Sequence, residues 1–287
     1  MAAAAKTQPL NLPLLITPET CQGRVYIVTG ANTGLRLEAT RHLVGLGAAT
    51  VIMGVRNLAS GYRALADIES STGISGVAQV WELDLSSYTS VIAFAKRAIE
   101  NLDRIDAVIE NAAVASGERI MKEGHVITIT VNVISTLLLG VLLLPKLKET
   151  GACFRTLPHL VIVSSRVSFD FEEDWMKIRD NPIAKLGDEE IALKVYSLSK
   201  LLEIMAIRHL TSLLPLSRSG VVIKLVCPGL CKTDLSRSVP LGLREEIAKH
   251  SEQYGRTAED GSRTLLHGAV AGDHSHGCFL DSCTIAE

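Results

Sequence analysis

Six short runs of β-branched and apolar residues recur along the chain, separated by longer amphipathic stretches. The runs are Arg24–Thr29, Thr50–Met53, Gly76–Trp81, Ala107–Glu110, Leu160–Ser164 and Val221–Val226. They are apolar at consecutive positions rather than at alternate ones, so each strand needs cover on both faces. Between them lie helical patterns such as Leu35–Leu46, Tyr88–Asn101, His125–Leu147 and Ile191–Leu213. Strand alternating with helix predicts an α/β fold with a mostly parallel, doubly wound sheet and helices on both faces.

No break in composition divides the chain, and no repeat of solenoid period occurs. Residues 21–287 therefore read as one domain behind a surface arm, residues 1–20, with prolines at 9, 13 and 18. Lys plus Arg is 29 against 31 for Asp plus Glu, a net charge of −2, so no basic field gathers nucleic acid. Six cysteines in 287 residues are too sparse for a disulfide scaffold and fit a reducing, cytoplasmic setting. The start of the chain lacks the basic-then-apolar order of a signal peptide. The longest near-apolar run, Leu137–Leu144, ends at Pro145, far short of the roughly 20 residues of a membrane span. A mean hydropathy of +0.26 points to extensive burial or an apolar ligand.

The first run leads into Thr29-Gly-Ala-Asn-Thr-Gly34-Leu-Arg36 and then into a helical pattern. Glycines let backbone approach a pyrophosphate, and a helix start offers free N–H groups and a positive dipole end. A glycine pair alone is also an ordinary strand-to-helix turn; its place in the first strand–helix–strand unit favours the dinucleotide reading. The second strand ends Met53-Gly-Val-Arg56-Asn57 with no acid to hold a ribose 2′-hydroxyl. Arg56 instead suits a 2′-phosphate, which points to NADP(H) over NAD(H).

Tyr196 and Lys200 are four residues apart on a helical pattern and share a face. A free phenol has a pKa near ~10, and a nearby cation lowers it towards a useful acid/base range. Ser164 and Ser165 close the fifth run, at the carboxyl end of a strand where ligands bind in parallel sheets. Three histidines, His267, His274 and His276, lack the spacing and carboxylate partner of a metal site, and no metal is expected. Cys227 and Cys231 read as small buried hydrophobes.

With the glycine turn, the serine pair and the Tyr/Lys pair in this order, residues 21–285 resemble the short-chain dehydrogenase/reductase family. The resemblance implies a single-domain Rossmann fold and a catalytic set of Ser165, Tyr196, Lys200 and Asn132. It implies cofactor contacts from Gly30, Asn32, Thr33, Gly34, Leu35, Arg36 and Arg56. It adds the adenine-contacting pair Asp84-Leu85, the Asn111-Ala112 remnant of an Asn-Asn-Ala-Gly motif, and Pro228, Gly229 and Thr233 beside the nicotinamide carboxamide, with Tyr196 and Lys200 on the ribose side. In that scheme Tyr196 gives the proton, Lys200 lowers its pKa, Ser165 holds the carbonyl oxygen, and Asn132 holds a water that links Lys200 to solvent. The local wording, such as Ser199-Lys-Leu-Leu202, is most similar to fungal retinol-dehydrogenase-like reductases of natural-product pathways. The expected activity is NADPH-dependent reduction of a carbonyl, or the reverse, on an apolar small molecule. A non-redox cyclase or isomerase, or a regulatory nucleotide-binding protein, is the alternative on the same scaffold. The helix His125–Leu147 suits either a core position or a homodimer face.

Several positions depart from the family pattern. Arg36 replaces the third glycine of the turn, Glu110 the first Asn of the Asn-Asn-Ala-Gly motif, and Ala113 its Gly. Arg36 is expected to reach back towards phosphate rather than crowd it, and Glu110 needs a partner or a proton. An insert, residues 166–195, separates Ser165 from Tyr196 and carries Phe169, Phe171, Trp175, Met176 and Ile178 as candidate pocket walls. Residues 234–254 are a candidate lid.

Overall fold

The computed structural model describes residues 5–286; residues 1–4 of the expected arm, and Glu287, lie outside the described residues. Eight strands form the main sheet: β1 (Val25–Thr29), β2 (Thr50–Val55), β3 (Ala78–Glu82), β4 (Ala107–Glu110), β7 (His159–Val163), β8 (Val222–Cys227), β9 (Phe279–Asp281) and β10 (Thr284–Ile285). A two-stranded ladder of β5 (Met121–Lys122) and β6 (His125–Val126) stands apart. The sheet order is β10-β9-β8-β7-β4-β1-β2-β3, parallel throughout except between β9 and β10. The order reverses between β1 and β4, which opens a crevice at their carboxyl ends.

Strands β1, β4, β7 and β8 are buried at every position, as their continuous apolar runs require. Successive side chains go to opposite faces. Val28, Met53, Val161 and Val226 pack one way, against Leu35, Ala39 and Leu43 of α1 (Gly34–Gly45) and Leu265 and Leu266 of α7 (Ala258–Gly268). Ile27, Ile52, Ile162 and Leu225 pack the other way. There they meet α3 (Tyr88–Asn101), α4 (Ile127–Phe154) and α5 (Val195–Leu213) through residues such as Phe94, Leu143 and Ile204. Helix α2 (Leu58–Thr72) covers the β2–β3 side, its Gly61 lying close against Val55 and Val80.

The long helix α4 runs through Pro145, as the pattern His125–Leu147 expected, and continues past Leu147 to Phe154. Pro145 removes the donor to the Val141 carbonyl, and Val141 lies on the exposed face at 49%, where water can replace it. By length and composition α4 could cross a membrane, yet 67% of its most apolar window is buried in the fold.

The arm differs from a free surface segment. Leu12 and Ile16 are 3% and 2% exposed. Their backbone neighbours are tied down too, since Asn11 and Leu12 donate their N–H groups to the Asp260 carboxylate. The insert folds into short helical pieces, Arg166–Phe171, Glu172–Ile178, Pro182–Lys185 and Glu189–Ile191. Phe171, Trp175 and Ile178 pack into an apolar cluster with Ile129, Val133 and Leu198, so these three brace α4 against α5. Phe169 leaves that cluster and meets Phe279 edge to face at 5.4 Å.

Candidate active site

The crevice between β1 and β4 is organised by one hydroxyl. Thr29 Oγ1 accepts hydrogen bonds from the N–H groups of Asn111 (3.1 Å) and Ala112 (3.0 Å), which joins the ends of the two strands. Gly30 and Gly34 take left-handed φ values of 69° and 59°, a region open to glycine without strain. Thr33 is the N-cap of α1, and its side chain makes no capping bond, so the first N–H groups of α1 stay available to a ligand. Asn32 donates to Ser60 Oγ at 2.9 Å and so ties the turn to the start of α2. There Asn57 caps the helix, and its neighbour Arg56 is exposed. Leu35 is buried in the core at 7%, which leaves only its backbone for a ligand. Asp84 Oδ1 is held by the Ser86 N–H and hydroxyl at 2.9 and 2.8 Å, and Leu85 is a core residue.

Arg36 folds back over its own turn, and its Nε donates to the Thr33 carbonyl at 3.4 Å. Its Nη1 crosses above Gly30, 2.9 Å from where a Cβ there would sit, and donates to the Asn111 carbonyl at 3.4 Å. The absence of a side chain at residue 30 leaves room for that guanidinium, and its φ of 69° favours glycine independently. Burial disfavours the Arg36 charge, Arg237 adds to this, and Tyr196 opposes it.

The two serines part roles. Ser164 donates to the Lys200 carbonyl at 3.0 Å. Ser165 lies half-buried at the edge of β7, its carbonyl taken by Ser168, and its hydroxyl has no partner among the described residues. Tyr196, in the first turn of α5, is likewise half-buried with a hydroxyl free of protein partners among the described residues. Its backbone is fixed by a chain of bonds. Asn132 clamps both polar groups of Val114, at 2.8 and 3.0 Å, and donates to Ser199 Oγ at 3.0 Å. Ser199 donates in turn to the Tyr196 carbonyl at 2.7 Å. Asn132 sits in a six-residue π-helical stretch of α4, Thr130–Ser135, which aims its amide at that loop. Its side chain is thus a positioning clamp, a contact the sequence did not show.

Lys200 is the larger correction. The spacing placed its ammonium beside the phenol, but it turns inward, 2.8 Å from Glu203 Oε2, and donates to the Val163 carbonyl at 2.9 Å. An ammonium only 3% exposed needs a counter-charge, and Glu203, one helical turn on and 1% exposed, supplies it. Glu203 is pushed up to about 7, by burial, with Lys200 opposing. Glu110 lies nearby, buried, with no hydrogen-bond partner for either oxygen among the described residues. Its Oε1 comes within 3.2 Å of a Cβ built at Gly140, so that glycine makes its room. Burial, then Glu203, raise its pKa well above the ordinary value, which keeps it protonated. The Tyr196 phenol is raised as well, by burial and then by Glu203 and Cys227, and the cation that opposes this is Arg36.

Sequence reasoning missed Glu203, and it read Cys227 as a small buried residue, which it is at 2% exposed, but not as a hydrogen-bond acceptor. Cys227 Sγ, at the end of β8, accepts from the N–H groups of Arg166 (3.3 Å) and Gly229 (3.4 Å) and so fixes the backbone beside Ser165. Burial pushes that thiol up to about 11, a structural rather than a redox setting.

The far wall of the crevice is the segment after β8. Gly229 is left-handed at φ 74°, and Thr233 Cγ2 lies 3.5 Å from a Cβ built at Gly34, so this segment closes on the glycine turn. Residues 234–254 continue as a short helical turn and then α6 (Leu241–Tyr254). Gly117 bonds the Ser238 carbonyl at 3.1 Å and packs on Pro240, which links the loop after β4 to that segment. A cleft of about 470 Å³ remains, lined by Thr33, Gly34, Thr233, Arg237 and Arg244 among others.

A sequence profile described as short chain dehydrogenase matches residues 24–171. The chain is also 40% identical over 269 residues to the "Short chain dehydrogenase/reductase dmxR8" of Cryptosporiopsis sp. (strain 8999), covering 92% of this chain and 82% of that relative. The chain belongs to the short-chain dehydrogenase/reductase family. It is therefore an oxidoreductase by family. Solved members share its fold. The short chain dehydrogenase of Shigella flexneri superposes with a TM-score of 0.65 at 22% identity, over 97% of this chain and 95% of that one. The short-chain dehydrogenase of Sphingobium yanoikuyae in complex with NADPH does so at 0.63 and 18% identity, over 90% and 87%.

Proposed function

We propose that this short-chain dehydrogenase/reductase reduces a carbonyl on an apolar small molecule, or oxidises the corresponding alcohol, with NADP(H) as its cofactor. The observation that carries the proposal is the pair of unpartnered hydroxyls, Ser165 and Tyr196, at the carboxyl edge of the sheet beside the glycine turn. The residues present suit the dinucleotide. Two left-handed glycines and the uncapped start of α1 offer backbone donors to a pyrophosphate. Arg237 and Arg244 line the same cleft, and exposed Arg56 stands where a 2′-phosphate would be met. NADPH, when bound, supplies the hydride. Tyr196, held protonated by burial, gives its proton to the carbonyl oxygen, and Ser165 donates a hydrogen bond to that oxygen. Lys200 serves the ribose side once it leaves Glu203. A natural-product intermediate as substrate rests on the resemblance to fungal reductases, and six free cysteines fit a cytoplasmic location.

One observation favours a second reading, a non-redox cyclase or isomerase or a nucleotide-binding regulator: Lys200 is latched to Glu203 instead of facing the phenol. Loss of NADPH absorbance with any member of a panel of apolar ketones supports the reductase; binding of NADPH without turnover across that panel supports the second.

The choice of nucleotide has its own test. Arg56→Ala is expected to weaken NADPH binding by roughly ten- to a hundredfold, the worth of one or two charge-assisted hydrogen bonds, with NADH binding unchanged. Titration of both nucleotides against wild type and variant measures it. Equal losses for the two would remove the 2′-phosphate assignment.

A further inference from the structure

The N-terminal arm makes contacts that surface packing does not require. Gln8 treats one residue, Leu230, as a strand would: its Oε1 accepts from the Leu230 N–H at 2.9 Å and its Nε2 donates to the Leu230 carbonyl at 2.9 Å. The same Nε2 donates to the Tyr254 carbonyl, the last residue of α6, at 2.8 Å. Arg256 completes the arrangement. It is 1% exposed, and its guanidinium donates to the Pro9 carbonyl (2.9 Å), the Pro228 carbonyl (2.6 Å) and Ser282 Oγ (2.7 Å). Its backbone pairs with Leu230 and Lys232. Gly229 lies in the middle, and a Cβ there would stand 2.4 Å from Gln8 Oε1 and 2.6 Å from Arg256 Nη1. The Pro228-Gly229-Leu230 turn is therefore gripped at both ends, at Pro228 by a buried guanidinium and at Leu230 by a side chain from the arm.

We propose that Gln8 and Arg256 are positioning residues for this turn, so that the arm sets the affinity for the nicotinamide half of the dinucleotide. The inference rests on the cofactor reading above and extends it to a segment outside the glycine turn. Backbone gripped in this way is preorganised, so the ligand does not have to order it on binding. The arm's own anchorage is separate: Leu12 and Ile16 are buried, and the Asp260 carboxylate holds the backbone at Asn11 and Leu12.

The test compares two ligands on the full chain: NADPH, and 2′,5′-ADP, which carries the adenine half and the 2′-phosphate but no nicotinamide. Gln8→Ala removes the grip. Gln8→Glu keeps the acceptor for the Leu230 N–H but leaves two carbonyls facing a carboxylate. Both variants are expected to bind NADPH roughly tenfold more weakly, or about 1.4 kcal/mol, with 2′,5′-ADP affinity held within about twofold. Ile16→Ala, which loosens the arm away from the turn, is expected to lower the melting temperature with the ratio of the two affinities at its wild-type value. Equal loss for both ligands in the Gln8 variants, or loss for neither, overturns the proposal. Wild-type chain that binds 2′,5′-ADP and NADPH equally weakly, or not at all, overturns the cofactor reading and this inference with it.

Discussion

Tyr196→Phe is expected to lower turnover by roughly 10²–10⁴-fold, the usual worth of a positioned general acid. The substitution removes one oxygen atom, and that atom has no protein partner among the described residues, so no internal bond is broken. The Tyr196 backbone is held from elsewhere, through Ser199 and Asn132. Nucleotide affinity and melting temperature should therefore stay near wild type while NADPH consumption with the best ketone of the panel is lost. The environment raises the phenol pKa, so Tyr196 enters the reaction as an acid and needs no base to prepare it for reduction. Undiminished turnover in the phenylalanine variant would remove Tyr196 from the mechanism.

Lys200→Met should damage stability as well as catalysis, and the damage should depend on pH. Lys200 and Glu203 are a buried pair, and removing one partner of such a pair costs about 3–5 kcal/mol. Folded Glu203 lies at about 7, above its ordinary 4.5, so between those values the folded chain holds a proton that the unfolded chain has released. Its contribution is therefore fully present below the lower value and is lost as pH rises through the upper one. Lys200 is the influence that lowers this pKa, so without it the loss deepens and extends to higher pH. Near pH 5 Glu203 is protonated and the variant should unfold close to wild type; as pH rises past about 7 the variant should fall progressively below wild type in urea unfolding, because its Glu203 goes on holding a proton that the unfolded chain releases. Lys200→Met/Glu203→Leu should regain most of that stability, because no buried charge is left alone, while turnover stays absent. A double variant as unstable as the single one would show that the pair does not account for the loss. Glu110 adds a second buried carboxyl with the same sign, which makes the Glu203 variants the cleaner probe.

The fold was legible because its signals are local and repeated. Strands β1, β2, β4, β7 and β8 fall within two residues of the apolar runs that announced them, and α3 spans the residues its periodicity marked. Strands β9 and β10 were not visible in sequence: three and two residues long, they are strands only because β8 offers β9 an edge and β9 in turn offers one to β10. Pro145 does not break α4, which overruns its expected end at Leu147. A proline breaks a helix when the freed carbonyl has no substitute donor, and here that carbonyl faces solvent.

The site was legible in position more than in contact. Periodicity put Tyr196 and Lys200 on one helix face, but whether an ammonium turns to a phenol or a carboxylate depends on what is buried beside it. The signal that decides this, Glu203 three residues after Lys200, was present and went unread. Glu110 was flagged as needing a partner or a proton, and it has the environment of the second. The grip of Gln8 on Leu230 joins residues 222 apart in sequence, and no local pattern records such a contact.

The most direct measurement is a crystal structure of the protein soaked with NADPH. The account requires electron density for the dinucleotide along the glycine turn, with C4 of the nicotinamide facing the Tyr196 hydroxyl and Ser165, and Lys200 released from Glu203 towards the ribose. A ring held far from that hydroxyl, or a groove without density in excess NADPH, would contradict it.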